Sequence, residues 1–204
     1  MELNEAFLQI SAIRRQMAQS EQFRGYRAVP VAISALLAFV AGPLQAMLIT
    51  DPSKQWNQYL ALWMAVAVIS GTICLGNVWL RYYRSGTPMH QETTLLALGQ
   101  FFPCLIAGGL LTLVVAKTAP HVAWMLPGLW AILYSMGLFA SWRLLPRPMF
   151  GVAAYYLGGG LAAVQLGSGQ YALSPWVMPL LFGVGQLATA VILLLSERER
   201  GRTS

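Results

Sequence analysis

Residues 59–79 read YLALWMAVAVISGTICLGNVW, an uninterrupted stretch without a charged side chain. A helix needs about 20 apolar residues to cross the roughly 30 Å hydrocarbon core of a bilayer, so this stretch is long enough to span it. Its apolar residues are continuous rather than alternating, which favours a helix over a strand of a membrane β-barrel. The stretch therefore predicts a transmembrane helix.

Five further stretches of the same kind lie before and after it. The chain contains 57% hydrophobic and only 10% charged residues, whereas soluble domains have roughly 25% charged residues. We predict an all-α integral membrane protein: a cytoplasmic segment at 1–28, a six-helix transmembrane bundle at 29–196 and a cytoplasmic tail at 197–204. The predicted spans are residues 29–49, 59–79, 94–116, 122–142, 149–167 and 175–195.

Positive charges are divided unequally between the two sides that six spans define. The side opposite the termini has only Lys54 and Lys117. Eleven arginines lie on the side of both termini: Arg14, Arg15, Arg24, Arg27, Arg81, Arg84, Arg143, Arg147, Arg198, Arg200 and Arg202. Cytoplasmic loops carry the excess of Lys and Arg, so both termini are predicted to be cytoplasmic in an inner membrane of the bacterial type. This topology explains the net charge of +6, and we predict no nucleic-acid partner.

The N-terminal segment shows a different pattern. Leu3, Phe7, Ile10, Ile13 and Met17 recur every three or four residues, which is the spacing of one helix face. We predict an amphipathic cytoplasmic helix. Its apolar stripe either lies on the lipid surface, docks on the inner face of the bundle or docks on a second protein.

Small residues at intervals of four predict close helix packing. Gly159, Ala163 and Gly167 lie in the fifth span beside the GGG run at 158–160, and Gly185 and Thr189 lie in the sixth. Small side chains on one face allow another backbone to approach. The partner is another helix of the bundle or, in a homo-oligomer, a second copy of the chain.

Polar side chains inside the spans are few, and none of them is Asp, Glu, Lys, Arg or His. Proton relays and charge-coupled transport use such groups in the membrane. Gln100, Gln186 and Asn77 are the candidates for hydrogen bonds between helices or for lining a water-filled site. Trp63 and Trp130 lie deep enough that their indole N–H groups need partners.

The residues point to no catalytic, cofactor or metal site. Cys74 and Cys104 lack metal-ligand spacing, and His90 and His121 fall on opposite sides of the predicted membrane. We therefore predict a non-enzymatic interaction or sensing module, either the membrane subunit of a larger complex or a binder of an apolar ligand. The alternatives are an oligomeric transporter or channel for an uncharged or small solute, and a redox protein that binds a cofactor such as haem.

Overall fold

The structure is a computed structural model that describes residues 27–52, 54–84, 88–167 and 173–203. Its long helices are α1 Ala28–Leu48, α2 Trp56–Arg84, α3 Pro88–Thr118, α4 Leu126–Ala140, α5 Met149–Leu166 and α6 Val184–Thr203. Two 3-10 turns, Pro120–Met125 and Trp142–Leu144, flank α4, and a π-helical turn at Pro179–Gly183 leads into α6.

Within the described residues, six segments are long and apolar enough to cross a membrane, at 28–48, 56–80, 99–118, 120–140, 149–166 and 179–198. The predicted all-α, six-helix fold class is therefore confirmed. The predicted amphipathic helix and its stripe of Leu3, Phe7, Ile10, Ile13 and Met17 lie outside the described residues. The predicted tail is a continuation of α6, which remains helical to Thr203.

The helices form an incomplete ring in the order α2, α1, α6, α5, α4, α3. The most extensive contact is between α4 and α5, and α1 packs against both α2 and α6. Helices α2 and α3 are consecutive in the chain, yet they barely touch. The ring is consequently open between these two helices.

A pair of glycines explains why α4 and α5 approach so closely. A Cβ atom built on Gly160 would lie 2.7 Å from the carbonyl oxygen of Gly128, and one built on Gly128 would lie 2.6 Å from the carbonyl oxygen of Gly160. The two backbones are thus in direct contact, which only residues without a side chain permit.

The π-helical turn is held by its neighbours on two sides. A Cβ atom on Gly42 of α1 would lie 2.5 Å from Pro179 Cγ and 2.8 Å from the Pro175 carbonyl oxygen, so α1 runs directly against this turn. From α5, the hydroxyl of Tyr155 donates a hydrogen bond to the Leu180 carbonyl oxygen. π-helical turns leave the regular α-helical ladder, and this one sits where α1 and α5 both contact it.

The end of the bundle where α1 begins and α6 leaves the apolar region is called here the termini side, and the other end the far side. The backbone N–H of Ala28, in the first turn of α1, donates to the Glu197 carboxylate at 3.4 Å. Carboxylates stabilise helix N-termini. Ala28 and Val31 also pack against Ala190 and Leu193, so α1 and α6 are joined at the termini side.

Candidate functional site: a cavity inside the helix ring

A cavity of about 390 Å³ lies inside the incomplete ring. This volume falls within the roughly 300–1,000 Å³ that is usual for small-molecule sites. All six helices line it, represented in order by Val31, Trp63, Phe101, Leu133, Met149 and Gln186. The cavity is therefore a feature of the whole bundle rather than of one helix pair.

The mouth of the cavity lies between α2 and α3. Among the residues that line the cavity, the exposed ones are Ala67 and Val68 on α2 and Leu105 on α3. Val68 is 61% exposed and Leu105 is 40% exposed. Both residues lie well inside the apolar segments of their helices. In a membrane, the mouth therefore faces the hydrocarbon region and not either aqueous side.

The wall of the cavity is mainly apolar, and the described residues that line it include no Asp, Glu, Lys, Arg or His. A charged molecule would lose its hydration there without gaining a partner of opposite charge, which is strongly unfavourable. An uncharged molecule with a large apolar part fits this lining. Nor do the described residues anywhere group three or more His, Cys, Asp or Glu side chains as a metal site.

On the far side, hydrogen bonds fix two indoles that line the cavity. The Trp63 indole N–H donates to Gln45 Oε1 at 2.8 Å, and Gln45 Nε2 donates to the Leu173 carbonyl oxygen at 2.8 Å. The Trp130 indole N–H donates to Thr112 Oγ1, also at 2.8 Å. Both indole N–H groups thus have the hydrogen-bond partners that their depth in the apolar segments predicts. Gln45 is fully buried and links α1, α2 and the segment before the π-helical turn.

Near the middle of the bundle, Tyr134 and Gln186 form a polar pair in the cavity wall. Gln186 Nε2 donates to the Tyr134 hydroxyl oxygen at 2.8 Å. Because that hydroxyl acts as the acceptor, its own proton remains to be donated elsewhere. The Tyr134 ring is held by Phe101, with ring centroids 5.1 Å apart in a T-shaped arrangement, and by Tyr156, with centroids 4.8 Å apart. The aromatic contacts keep the hydroxyl in place.

The hydroxyl of Ser141 lines the cavity towards the termini side. Ser141 is 3% exposed, and its Oγ has no hydrogen-bond partner. By contrast, seven serine and threonine hydroxyls of the described helices donate to a carbonyl three or four residues earlier, namely those of Ser34, Thr72, Thr112, Thr118, Ser135, Thr189 and Ser196. A buried hydroxyl without a partner costs about 1–3 kcal/mol. Ser141 is therefore an unsatisfied group in the wall of the cavity.

The three polar residues that the sequence predicts to be important lie in three different environments in the structure. Gln186 lines the cavity, whereas Gln100 lies on an exposed part of α3. Asn77 is half-buried on α2 and is not part of the cavity wall. Gln100 and Gln186 each follow a glycine in the sequence, yet they lie in different environments.

The small-residue candidates lie along α5 and α6. Gly159 faces Leu181, Ala163 packs at the edge of the α4–α5 core, and Gly167 ends α5. A Cβ atom on Gly185 would overlap the Tyr156 ring. Thr189 is buried in the cavity wall and donates to the Gly185 carbonyl oxygen at 2.9 Å.

Sequence reasoning missed two features of this region. The backbone contact of α5 with α4 is at Gly160, one residue from the predicted stripe. The GGG run at 158–160 was the only feature of the sequence that pointed to it. Ser141 gave no signal, because a lone serine near the end of an apolar segment is common. Its significance depends on the carbonyl groups and helices that surround it.

The fold and the cavity define this chain as a multi-pass, all-α membrane protein with a cavity inside its helix bundle. Comparison with protein-family models, curated proteins and solved structures returns no match.

Proposed function

We propose that this protein is a ligand-binding or sensing module of the membrane, which takes up an uncharged, largely apolar molecule from the bilayer. The observation that carries the proposal is the mouth of the 390 Å³ cavity, whose exposed lining residues all belong to α2 and α3. A molecule dissolved among the lipid chains reaches the cavity through this mouth without crossing an aqueous phase. The other helices of the ring enclose the cavity.

Binding rather than catalysis is favoured by the side chains in the wall. General acid–base catalysis relies on groups such as His, Asp, Glu or Lys within hydrogen-bond reach of the substrate, and the described part of the wall contains none of these four. Its hydroxyls and thiols, such as Ser34 beside Cys74 at 3.5 Å, have no such base among the lining residues. The protein is therefore proposed to be non-enzymatic.

The proposed location is the inner membrane with both termini in the cytoplasm. The excess of arginine on the termini side supports this orientation. A protein partner at the cytoplasmic face would then have access to the N-terminal segment and to the end of α6, where a ligand-dependent change in the bundle would be sensed.

The test blocks the cavity with side chains that the structure can accept. Gly71 on α2 and Gly109 on α3 line the cavity, and a Cβ atom at either position meets nothing within 4 Å. The double variant Gly71→Leu with Gly109→Leu fills the space near the mouth. Gly76 and Gly99 lie on the same two helices outside the cavity wall and are equally open, so Gly76→Leu with Gly99→Leu is the matched control.

The readout is photo-crosslinking in phospholipid vesicles with a long-chain alcohol that carries an alkyl diazirine. Labelling of the cavity wall should saturate with probe concentration, whereas labelling of a lipid-facing residue such as Leu161, 54% exposed, should rise linearly. The cavity-blocking variant should lose the saturable labelling, and the control variant should keep it. Linear labelling of the cavity wall in the unmodified protein would overturn the proposal.

A further inference from the structure

Helix α4 presents one continuous face to the cavity, and hydrogen-bonding groups are spaced along it. Trp130, Tyr134 and Leu138 of this helix and Ser141, the residue directly after its end, all line the cavity. Their intervals of three and four residues place them on the same side of the helix. The Trp130 indole is already paired with Thr112. The groups left for a ligand on this face are therefore the hydroxyls of Tyr134 and Ser141.

These two hydroxyls differ in what they offer. Tyr134 accepts a hydrogen bond from Gln186, so it offers its proton to an acceptor such as a carbonyl or hydroxyl oxygen. Ser141 is buried with no partner for its Oγ, so it offers both a donor and an acceptor. Seven residues separate them, which is about 10 Å along a helix that rises 1.5 Å per residue.

We infer that the ligand is a lipid-like alcohol or ketone whose hydroxyl or carbonyl group pairs with Ser141 at the closed, termini-side end of the cavity. Its apolar part extends past Leu138 towards the mouth, and the Tyr134–Gln186 pair accommodates a second uncharged polar group about 10 Å away. This assignment rests on the proposed function. It adds the chemical class of the ligand and the direction in which the ligand lies.

Among the described residues that line the cavity none is charged, which limits the kind of polar group that the ligand can carry. A carboxylate, phosphate or amine would be buried there without a counter-charge, which is costly. A hydroxyl or carbonyl needs only the hydrogen bond that Ser141 provides. Tyr59 and Tyr156 also have buried hydroxyls without a partner among the described residues, but of these three only Ser141 lines the cavity.

The experiment compares two diazirine probes of equal chain length in phospholipid vesicles, one ending in a hydroxyl and one a plain hydrocarbon. The unmodified protein should bind the alcohol more tightly than the hydrocarbon. Ser141→Ala should weaken saturable binding of the alcohol by roughly 2–10-fold, the worth of one neutral hydrogen bond, and leave hydrocarbon binding unchanged. Ser135→Ala is the matched control on α4, because the Ser135 hydroxyl is satisfied by the Ile132 carbonyl at 2.7 Å and does not line the cavity.

Thermal unfolding in detergent gives a second, independent measurement. Without probe, Ser141→Ala should unfold at the same temperature as the parent or at a higher one, because the variant removes an unsatisfied group. A lower unfolding temperature would mean that the hydroxyl has a structural role, and would overturn the assignment.

The outcomes also separate this inference from the function on which it rests. Saturable binding of both probes with equal affinity would overturn the role of Ser141 and leave uptake of an apolar molecule standing. Saturable binding of neither probe would overturn both. Weaker binding of the alcohol in the Ser135→Ala control to the same degree would also overturn the specific role of Ser141.

Discussion

The contact between Gly128 and Gly160 provides the sharpest test of the fold. Replacing Gly160 with Ala places a Cβ atom 2.7 Å from the Gly128 carbonyl oxygen and 2.9 Å from Ile132 Cγ1. Real Cβ atoms essentially never approach other atoms closer than 3.0 Å. Since the first neighbour is backbone, it cannot rotate away, and α4 and α5 must separate.

Two neighbouring glycines make a graded series on the same helix. A Cβ atom on Gly159 would meet Leu181 Cδ2 at 2.8 Å, which is the end of a flexible side chain, and one on Gly158 meets nothing within 4 Å. Alanine is favoured over glycine in helices by up to about 1 kcal/mol, whereas overpacking costs about 1–3 kcal/mol. We therefore expect Gly158→Ala to be neutral or stabilising, Gly159→Ala to be intermediate and Gly160→Ala to be destabilising by about 1–2 kcal/mol.

The assay is reversible unfolding in mixed micelles with increasing sodium dodecyl sulfate, followed by tryptophan fluorescence. The change in the free energy of unfolding is compared among the three variants, so any general effect of adding a methyl group to α5 cancels. Equal stability of the Gly158→Ala and Gly160→Ala variants would refute the backbone contact between α4 and α5. A loss at Gly158 alone would point instead to a contact with a second copy of the chain.

Three further predictions concern other parts of the molecule. Gln45→Leu should lower the free energy of unfolding by about 1–3 kcal/mol, because the indole N–H and the backbone carbonyl that this side chain bridges both lose their hydrogen-bond partner. Thermal unfolding measures this loss, and unchanged stability would contradict the bridge. Topology reporters fused after Arg202 and within residues 50–55 should report opposite sides of the membrane, and agreement between them would contradict six crossings. Phe7→Glu with Ile10→Glu should expose the N-terminal segment to protease on inside-out vesicles if its apolar stripe holds it at the cytoplasmic face, and equal cleavage of variant and parent would contradict that role.

Some features of the site follow directly from the sequence. Trp63 and Trp130 lie so far inside apolar segments that their N–H groups required protein partners, and Gln45 and Thr112 supply them. The reason is general: a polar group in hydrocarbon has no water to bind. Gln186 was singled out for the same reason and lines the cavity.

Other features depended on which helices are neighbours. Gln100 and Gln186 follow a glycine in the same way, yet one is exposed and the other lies in the cavity wall. Spacing along a helix specifies a face but does not specify what that face contacts. The same limit explains why the small-residue stripe was placed one residue away from Gly160, the position where α5 contacts α4.

The sequence by itself determined that the chain has six helical segments long and apolar enough to cross a membrane. Length and hydropathy suffice for this, because an apolar segment in lipid must satisfy its backbone hydrogen bonds within itself. Only the tertiary structure decided that α2 and α3 diverge, that the ring encloses a cavity and that Ser141 lies in its wall without a partner. These properties arise from packing between segments far apart in the chain. Close contacts such as that of Gly128 with Gly160 allow some helices to pack tightly, whereas other helices barely touch.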